Sequence, residues 1–127
     1  MLYRKTTQKS VSQAFEDLQA SAKAHGFGVL HHYDFKQTLQ SKGFDLANEC
    51  LVVEVCDPKQ ASEVLAADMS LNMALPCRIS IYHDRGDTIV GMIPPTAMLG
   101  LISDDPRIAQ TARTVEQTMQ TIIDEAL

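Results

Sequence analysis

The sequence predicts an α+β protein in which helices pack over one face of a five-stranded antiparallel sheet. Five short β-rich segments lie between Leu2 and Ile93, and turn residues or short helical patterns separate them. Two longer amphipathic helical patterns follow the first and the last of these strands. Because strands joined by short connections pair antiparallel, we expect a two-layer α+β sandwich in a single domain over residues 1–127.

The first strand and the first helix are predicted from residues 2–26. Residues 2–7 read as a strand, and Ser10 then caps a helix, with Gln13 three positions later as in a capping box. Gly26 can adopt the left-handed backbone conformation that commonly ends an α-helix. The helix is amphipathic because apolar residues recur at helical spacing: Val11, Ala14, Phe15, Leu18 and Ala22.

Two more strands and two helices are predicted in the middle of the chain. Residues 27–33 are β-rich and form the second strand, and Asp34 caps a short helix after it. Residues 51–55 form the third strand. Asp57 can cap a helix, and Pro58 suits the first turn of that helix. Together they predict a helix that begins directly after the third strand.

The last two strands should form a hairpin. Residues 77–83 and 88–93 are β-rich, and the turn residues 84–87 lie between them. Asp105 and Pro106 repeat the combination of cap and proline. They begin a long final helix with one apolar side: Ile108, Ala112, Val115, Met119, Ile122 and Ile123.

Composition restricts the classes of function. The chain has 127 residues, of which 45% are hydrophobic and 21% charged, as in ordinary globular proteins without a membrane span. A net charge of -5 disfavours nucleic acid as a partner. The N-terminus lacks the apolar run of a secretory signal. The chain has only three cysteines, and this odd number argues against a disulfide framework. We therefore expect a cytoplasmic protein with reduced thiols and no membrane partner.

Two cysteines next to prolines are the most informative local feature. Cys56 ends the third strand before Asp57-Pro58, and Cys77 follows Pro76 at the start of the fourth. Antiparallel pairing of these strands would bring both thiols to one rim of the sheet. Strict alternation nevertheless sends Cys56 and Cys77 to opposite faces, so a shared rim requires a distortion where the prolines flank the strand ends.

The predicted ligand-binding residues are Cys56, Cys77, Glu54 and Arg78. Glu54 and Arg78 are interpreted either as a binding pair or as an ordinary cross-strand ion pair. Cys50 is expected to serve only packing.

The possible chemistry of Cys56 stays open at this stage. Its position before a helix favours the thiolate, whereas the neighbouring Asp57 favours the neutral thiol. No metal site is predicted: His31 and His32 are consecutive in a strand and point to opposite faces, and alternation does not settle which one faces outward. The residues indicate no particular cofactor.

The order and spacing of several short motifs resemble those of the domain-of-unknown-function family 302. The motifs are Gly26-Phe27-Gly28-Val29-Leu30, Asp34-Phe35-Lys36-Gln37-Thr38-Leu39, Lys42-Gly43, Glu54-Val55-Cys56-Asp57-Pro58, Leu75-Pro76-Cys77-Arg78-Ile79 and Met98-Leu99. The resemblance covers nearly the whole chain. It implies a β-α-β4-α arrangement similar to the TATA-binding-protein-like fold, usually a homodimer, with no established biochemical activity.

The resemblance assigns no catalytic role to any residue. The cysteine and proline positions of the family motifs correspond to Cys56 and Pro58, and to Pro76 and Cys77. Asp57 departs from the family pattern, in which a small polar residue, commonly Asn, stands between the cysteine and the proline. The aspartate keeps the capping role and adds a carboxylate.

These observations predict a homodimeric binding module with a small-ligand or thiol-responsive site at the sheet rim. One alternative is a redox or sulfur-transfer enzyme with Cys56 as nucleophile. Another is a structural interaction protein without a pocket. A helix-free sheet face that is only half polar favours a second copy of the chain as partner.

Overall fold

One antiparallel sheet organises the chain in the computed structural model, which describes residues 1–127. Its strands are β1 (Tyr3–Thr7), β2 (Gly28–Asp34), β3 (Cys50–Cys56), β4 (Cys77–Asp84) and β5 (Asp87–Met92). Their order across the sheet is β1-β5-β4-β3-β2, and every neighbouring pair is antiparallel. The five predicted strands and the predicted fold class are confirmed.

Helices cover one face of this sheet. They are α1 (Val11–Ala24), α2 (Phe35–Ser41), α3 (Pro58–Ala67), α4 (Pro95–Gly100) and α5 (Pro106–Ala126), with a 3₁₀ helix at Met69–Ala74. The long helices α1 and α5 pack against each other and lie over the sheet, and α3 packs against α5 and the 3₁₀ helix. None of the helices has the length and apolar character that crossing a bilayer requires.

Predicted caps fix where the helices begin. The Ser10 hydroxyl accepts a hydrogen bond from the backbone N–H of Gln13 at 3.1 Å, and Asp105 accepts one from the backbone N–H of Arg107 at 2.8 Å. The C-terminal stop of α1 is also confirmed, because Gly26 has φ 80°.

Two helices were not predicted from the sequence. One of them is α4, which begins at Pro95 shortly after the end of the sheet. Proline suits the first helical position because its fixed φ is already helical and its missing N–H would be unpaired there. The 3₁₀ helix begins after Asp68, whose carboxylate accepts from the backbone N–H of Ser70 at 3.0 Å.

Apolar side chains form two clusters on the helix-covered side. The larger cluster joins α1 and α5 to the sheet, and its fully buried residues include Leu18, Val53, Ile79, Val90 and Met119. The smaller cluster joins α3, α4 and α5 to the 3₁₀ helix: Val64, Leu71, Leu99, Ile108 and Ala112. The two clusters meet near the end of β3 and the start of β4, where the predicted site lies.

A bulge in β2 decides the orientation of the two histidines. The pairing with β3 shifts between Val29 and His31, so alternation along β2 is interrupted at Leu30. His31 therefore lies opposite Glu54 on the helix-free face. The His32 ring lies on the other side, with its centroid 4.8 Å from that of Phe15 in α1.

Candidate functional site

Cys56 and Cys77 line the same cavity at the rim of the sheet. Val55 lies directly opposite Cys77 in the register of β3 and β4, and Cys56 is the next residue after Val55. Both cysteines contribute to a cavity of about 290 Å³, which we call the thiol cavity. Chain reversal thus brings together two thiols that are 21 positions apart in the sequence.

The end of β3 explains why Cys56 reaches this cavity. Strict alternation predicts that Cys56 and Cys77 point to opposite faces. β3 stops at Cys56, however, and the chain turns at once into α3. Asp57 caps this helix by accepting hydrogen bonds from the backbone N–H groups of Lys59 and Gln60 at 3.1 and 3.5 Å. The two cysteines line the cavity from the last residue of β3 and the first residue of β4.

The walls of the thiol cavity are mostly hydrophobic. Ten of its 15 lining residues are hydrophobic, and they come from both apolar clusters and from α3 and α5. Ala61 and Val64 of α3 form part of the wall. Asn72 was missed because it belongs to the unpredicted 3₁₀ helix.

Asp57 is the only acidic residue that lines the thiol cavity, and no Lys, Arg or His lines it. The other polar side chains of the lining are the neutral Gln60, Asn72 and Thr111. A carboxylate without a basic partner in the lining makes the site unfavourable for anions. The cavity therefore suits a small apolar molecule that carries no negative charge.

The local environment keeps both thiols neutral. Burial raises the pKa of Cys56, and the negative charge of Asp57 raises it further. Burial raises the pKa of Cys77 from 9.0 to about 11, and the nearby Cys56 contributes in the same direction. Of the two possibilities left open by the sequence for Cys56, burial and Asp57 therefore favour the neutral thiol.

Cys50 lies away from the thiol cavity. It begins β3, whereas Cys56 ends that strand. Burial, followed by the negative charge of Asp34, raises its pKa. All three cysteines are free thiols.

Glu54 and Arg78 lie on the helix-free face and do not join the thiol cavity. They are directly opposite each other in β3 and β4, but no ion pair connects them. Glu54 instead accepts a hydrogen bond from the hydroxyl of Tyr33 at 3.1 Å, and this bond raises the pKa of Tyr33. Arg78 lines a second cavity, to which Cys77 also contributes. Of the four residues predicted from the sequence, Cys56 and Cys77 line the thiol cavity, Arg78 lines the second cavity together with Cys77, and Glu54 lines neither.

The structure brings together no group of three His, Cys, Asp or Glu residues that could hold a metal ion. The two thiols and Asp57 line one cavity but do not form such a group. His31 and His32 lie on opposite sides of the sheet and line neither the thiol cavity nor the second cavity.

Fold and site define a class of small α+β protein: one helix-covered antiparallel sheet with a thiol-lined cavity at its rim. The family model described as "Domain of unknown function DUF302" matches residues 3–126, and the chain belongs to this family. The resemblance inferred from the sequence motifs is thereby confirmed.

A solved structure agrees over almost the full length. It is the crystal structure of an uncharacterized conserved DUF302 protein from Bacillus stearothermophilus, which is 30% identical to this chain. The match covers 99% of this chain and 98% of that one, with a TM-score of 0.94. The comparison with curated proteins found no match.

Proposed function

We propose that this protein is a binding module for a small, mainly apolar molecule without negative charge, which occupies the thiol cavity. The observation that carries the proposal is the convergence of Cys56 and Cys77 on one apolar cavity. Ligand sites in proteins are typically concave and apolar with a few polar groups that fix orientation. Drug-sized ligands occupy roughly 300–1,000 Å³, so a cavity of about 290 Å³ favours a molecule at or below the lower end of that range.

The two thiols serve recognition in this proposal. A neutral thiol is a small, polarisable group that packs well against apolar and sulfur-containing ligands. Because Cys56 is only partly buried, a thiol reagent can modify it and fill part of the cavity. The site is therefore thiol-responsive: alkylation of Cys56 should block ligand binding.

A redox or sulfur-transfer enzyme remains the alternative, and the pKa directions disfavour it. Such enzymes attack with a thiolate, which a lowered pKa provides. The pKa of Cys56 is raised by burial and by Asp57. Alkylation of Cys56 by iodoacetamide should therefore increase with pH to a midpoint above 9. A midpoint well below that value would favour the enzyme.

A neutral fluorescent probe tests the binding proposal directly. N-phenyl-1-naphthylamine gains emission when it moves from water into an apolar site. Ala61→Leu would fill the cavity from α3, and we expect it to weaken probe binding at least tenfold. Ala66→Leu places the same side chain on the exposed side of α3 as a matched control. Equal binding by both variants would refute the proposal, as would absence of saturable binding to the unmodified protein.

We also propose that two copies associate through the helix-free face of the sheet. Tyr82 and Ile89 lie half-buried on this face and opposite each other in β4 and β5, toward the end of the sheet away from Arg78. A second copy would cover the apolar side chains that the helices leave uncovered on this face, and a two-fold axis would let the same patch of each copy cover the other.

Sedimentation velocity tests the dimer. We expect the unmodified protein to sediment as a dimer and Ile89→Arg as a monomer, because the substitution puts a charge in the middle of the interface. Ala20→Arg on the exposed side of α1 should leave the dimer intact. A monomeric unmodified protein at high concentration would rule out the association.

Three free thiols suit a reducing compartment, so we place this module in the cytoplasm.

A further inference from the structure

We infer that the second cavity is a separate binding site for a small organic carboxylate with an apolar body. This site, which we call the arginine cavity, has a volume of about 230 Å³ and lies at the end of the helix-free face, bordered by α4. The residues that carry the inference are Arg78 and Ser80 of β4, Val52 of β3, Ile93, and Met98 of α4.

The guanidinium of Arg78 has no acidic partner in the protein. Glu54 lies directly across the strand pair, yet the ion pairs of the structure do not include Arg78. The carboxylate of Glu54 is bonded to the hydroxyl of Tyr33 at 3.1 Å. No acidic residue lines the arginine cavity, so Arg78 is its only charged group. Its positive charge therefore remains available to an anion.

Ser80 places a second donor beside Arg78. The two residues are two positions apart on β4 and so share one face of the sheet. The Ser80 hydroxyl takes part in no hydrogen bond within the protein, although the side chain is only partly exposed. The planar guanidinium matches both oxygens of a carboxylate, and a hydroxyl can donate to one of them.

The remaining walls select for an apolar body. Val52, Ile93 and Met98 present hydrophobic side chains to the cavity, and seven of its 11 lining residues are hydrophobic. An inorganic anion would leave these walls uncovered, whereas a short alkyl or aromatic acid would bury them. The volume of about 230 Å³ again restricts the ligand to a small one.

The two cavities have opposite charge preferences. Asp57 is the only acidic residue in the lining of the thiol cavity, and Arg78 is the only charged residue of the arginine cavity. Pro76, Cys77 and Leu99 belong to both linings and form a common wall. The carboxylate inference does not rest on the proposed function, because its charged group and most of its walls are different.

Titration with sodium hexanoate, followed by backbone amide NMR shifts, tests the inference. We expect saturable shifts around Arg78 and Ser80, a loss of affinity of at least tenfold in Arg78→Gln, and a smaller loss in Ser80→Ala. Arg113→Gln on the exposed side of α5 is the matched control and should bind hexanoate normally. Hexan-1-ol and inorganic phosphate should bind much more weakly, because each lacks one of the two recognised features.

Three results would overturn the inference: no saturable hexanoate shifts, equal affinity in Arg78→Gln, or phosphate binding as tight as hexanoate binding. Arg78→Gln should still bind N-phenyl-1-naphthylamine, since that probe occupies the thiol cavity. Normal probe binding thus shows that the variant is folded. It also separates failure of the carboxylate site from failure of the proposed function.

Discussion

Raising the pH above 9 should destabilise the folded protein through Cys77. Burial raises the pKa of this thiol to about 11, whereas in the unfolded chain it returns to its ordinary value of 9.0. Between these values the unfolded state holds fewer protons than the folded state, so the free energy of unfolding falls as the pH rises. The stabilisation is complete below pH 9 and is lost as the pH rises through 11.

The expected size of the effect follows from the shift. A pKa difference of about two units corresponds to about 2.7 kcal/mol in total, and roughly half of it, about 1.4 kcal/mol, should be lost by pH 10. Urea unfolding followed by circular dichroism at a series of pH values, with reductant present, measures this loss.

Cys77→Ala isolates the contribution of the thiol. The variant loses packing at every pH, but its free energy of unfolding should fall less steeply above pH 9 than that of the unmodified protein. Alkaline titration of other groups, such as Tyr3, is common to both proteins and cancels in the comparison. Parallel curves for the two proteins would refute the assignment of a buried, neutral thiol at this position.

Two further predictions concern a strand contact and a helix cap. Gly91→Ala would place a Cβ 2.8 Å from the backbone oxygen of Tyr3 in the neighbouring strand, so we expect a loss of about 1–3 kcal/mol in urea unfolding. Gly100→Ala meets open space and should be neutral or stabilising by up to about 1 kcal/mol; equal effects of the two changes would contradict this packing. Asp57→Ala should cost about 1 kcal/mol as a lost cap. It should also speed alkylation of Cys56 by iodoacetamide at pH 8, because the pKa of that thiol falls; an unchanged rate would exclude the charge effect.

Much of the fold could be predicted because local signals in the sequence agree with the tertiary structure. Asp57-Pro58 and Asp105-Pro106 begin helices as expected, and Gly26 ends one. The bulge at Leu30 could not be predicted, because both alternating sets in that strand contain apolar residues. Only pairing with β3 decides which set faces the core.

The site was predictable only in part. The register of β3 and β4 made a shared rim for Cys56 and Cys77 plausible, but alternation argued against it. Both cysteines line the thiol cavity, whose wall depends on how α3 packs against α5 and the 3₁₀ helix, and strand alternation carries no information about that packing. Glu54 and Arg78 were predicted to share one site with the cysteines, but neither of them lines the thiol cavity.

Cross-linking by dibromobimane tests most directly whether two thiols share one cavity. This bis-electrophile becomes strongly fluorescent when both of its arms have reacted with thiols. We predict a fluorescent adduct that migrates as a single chain, is lost in Cys56→Ala and in Cys77→Ala, and persists in Cys50→Ala. An adduct that survives removal of Cys77, or no fluorescence from the unmodified protein, would contradict the account.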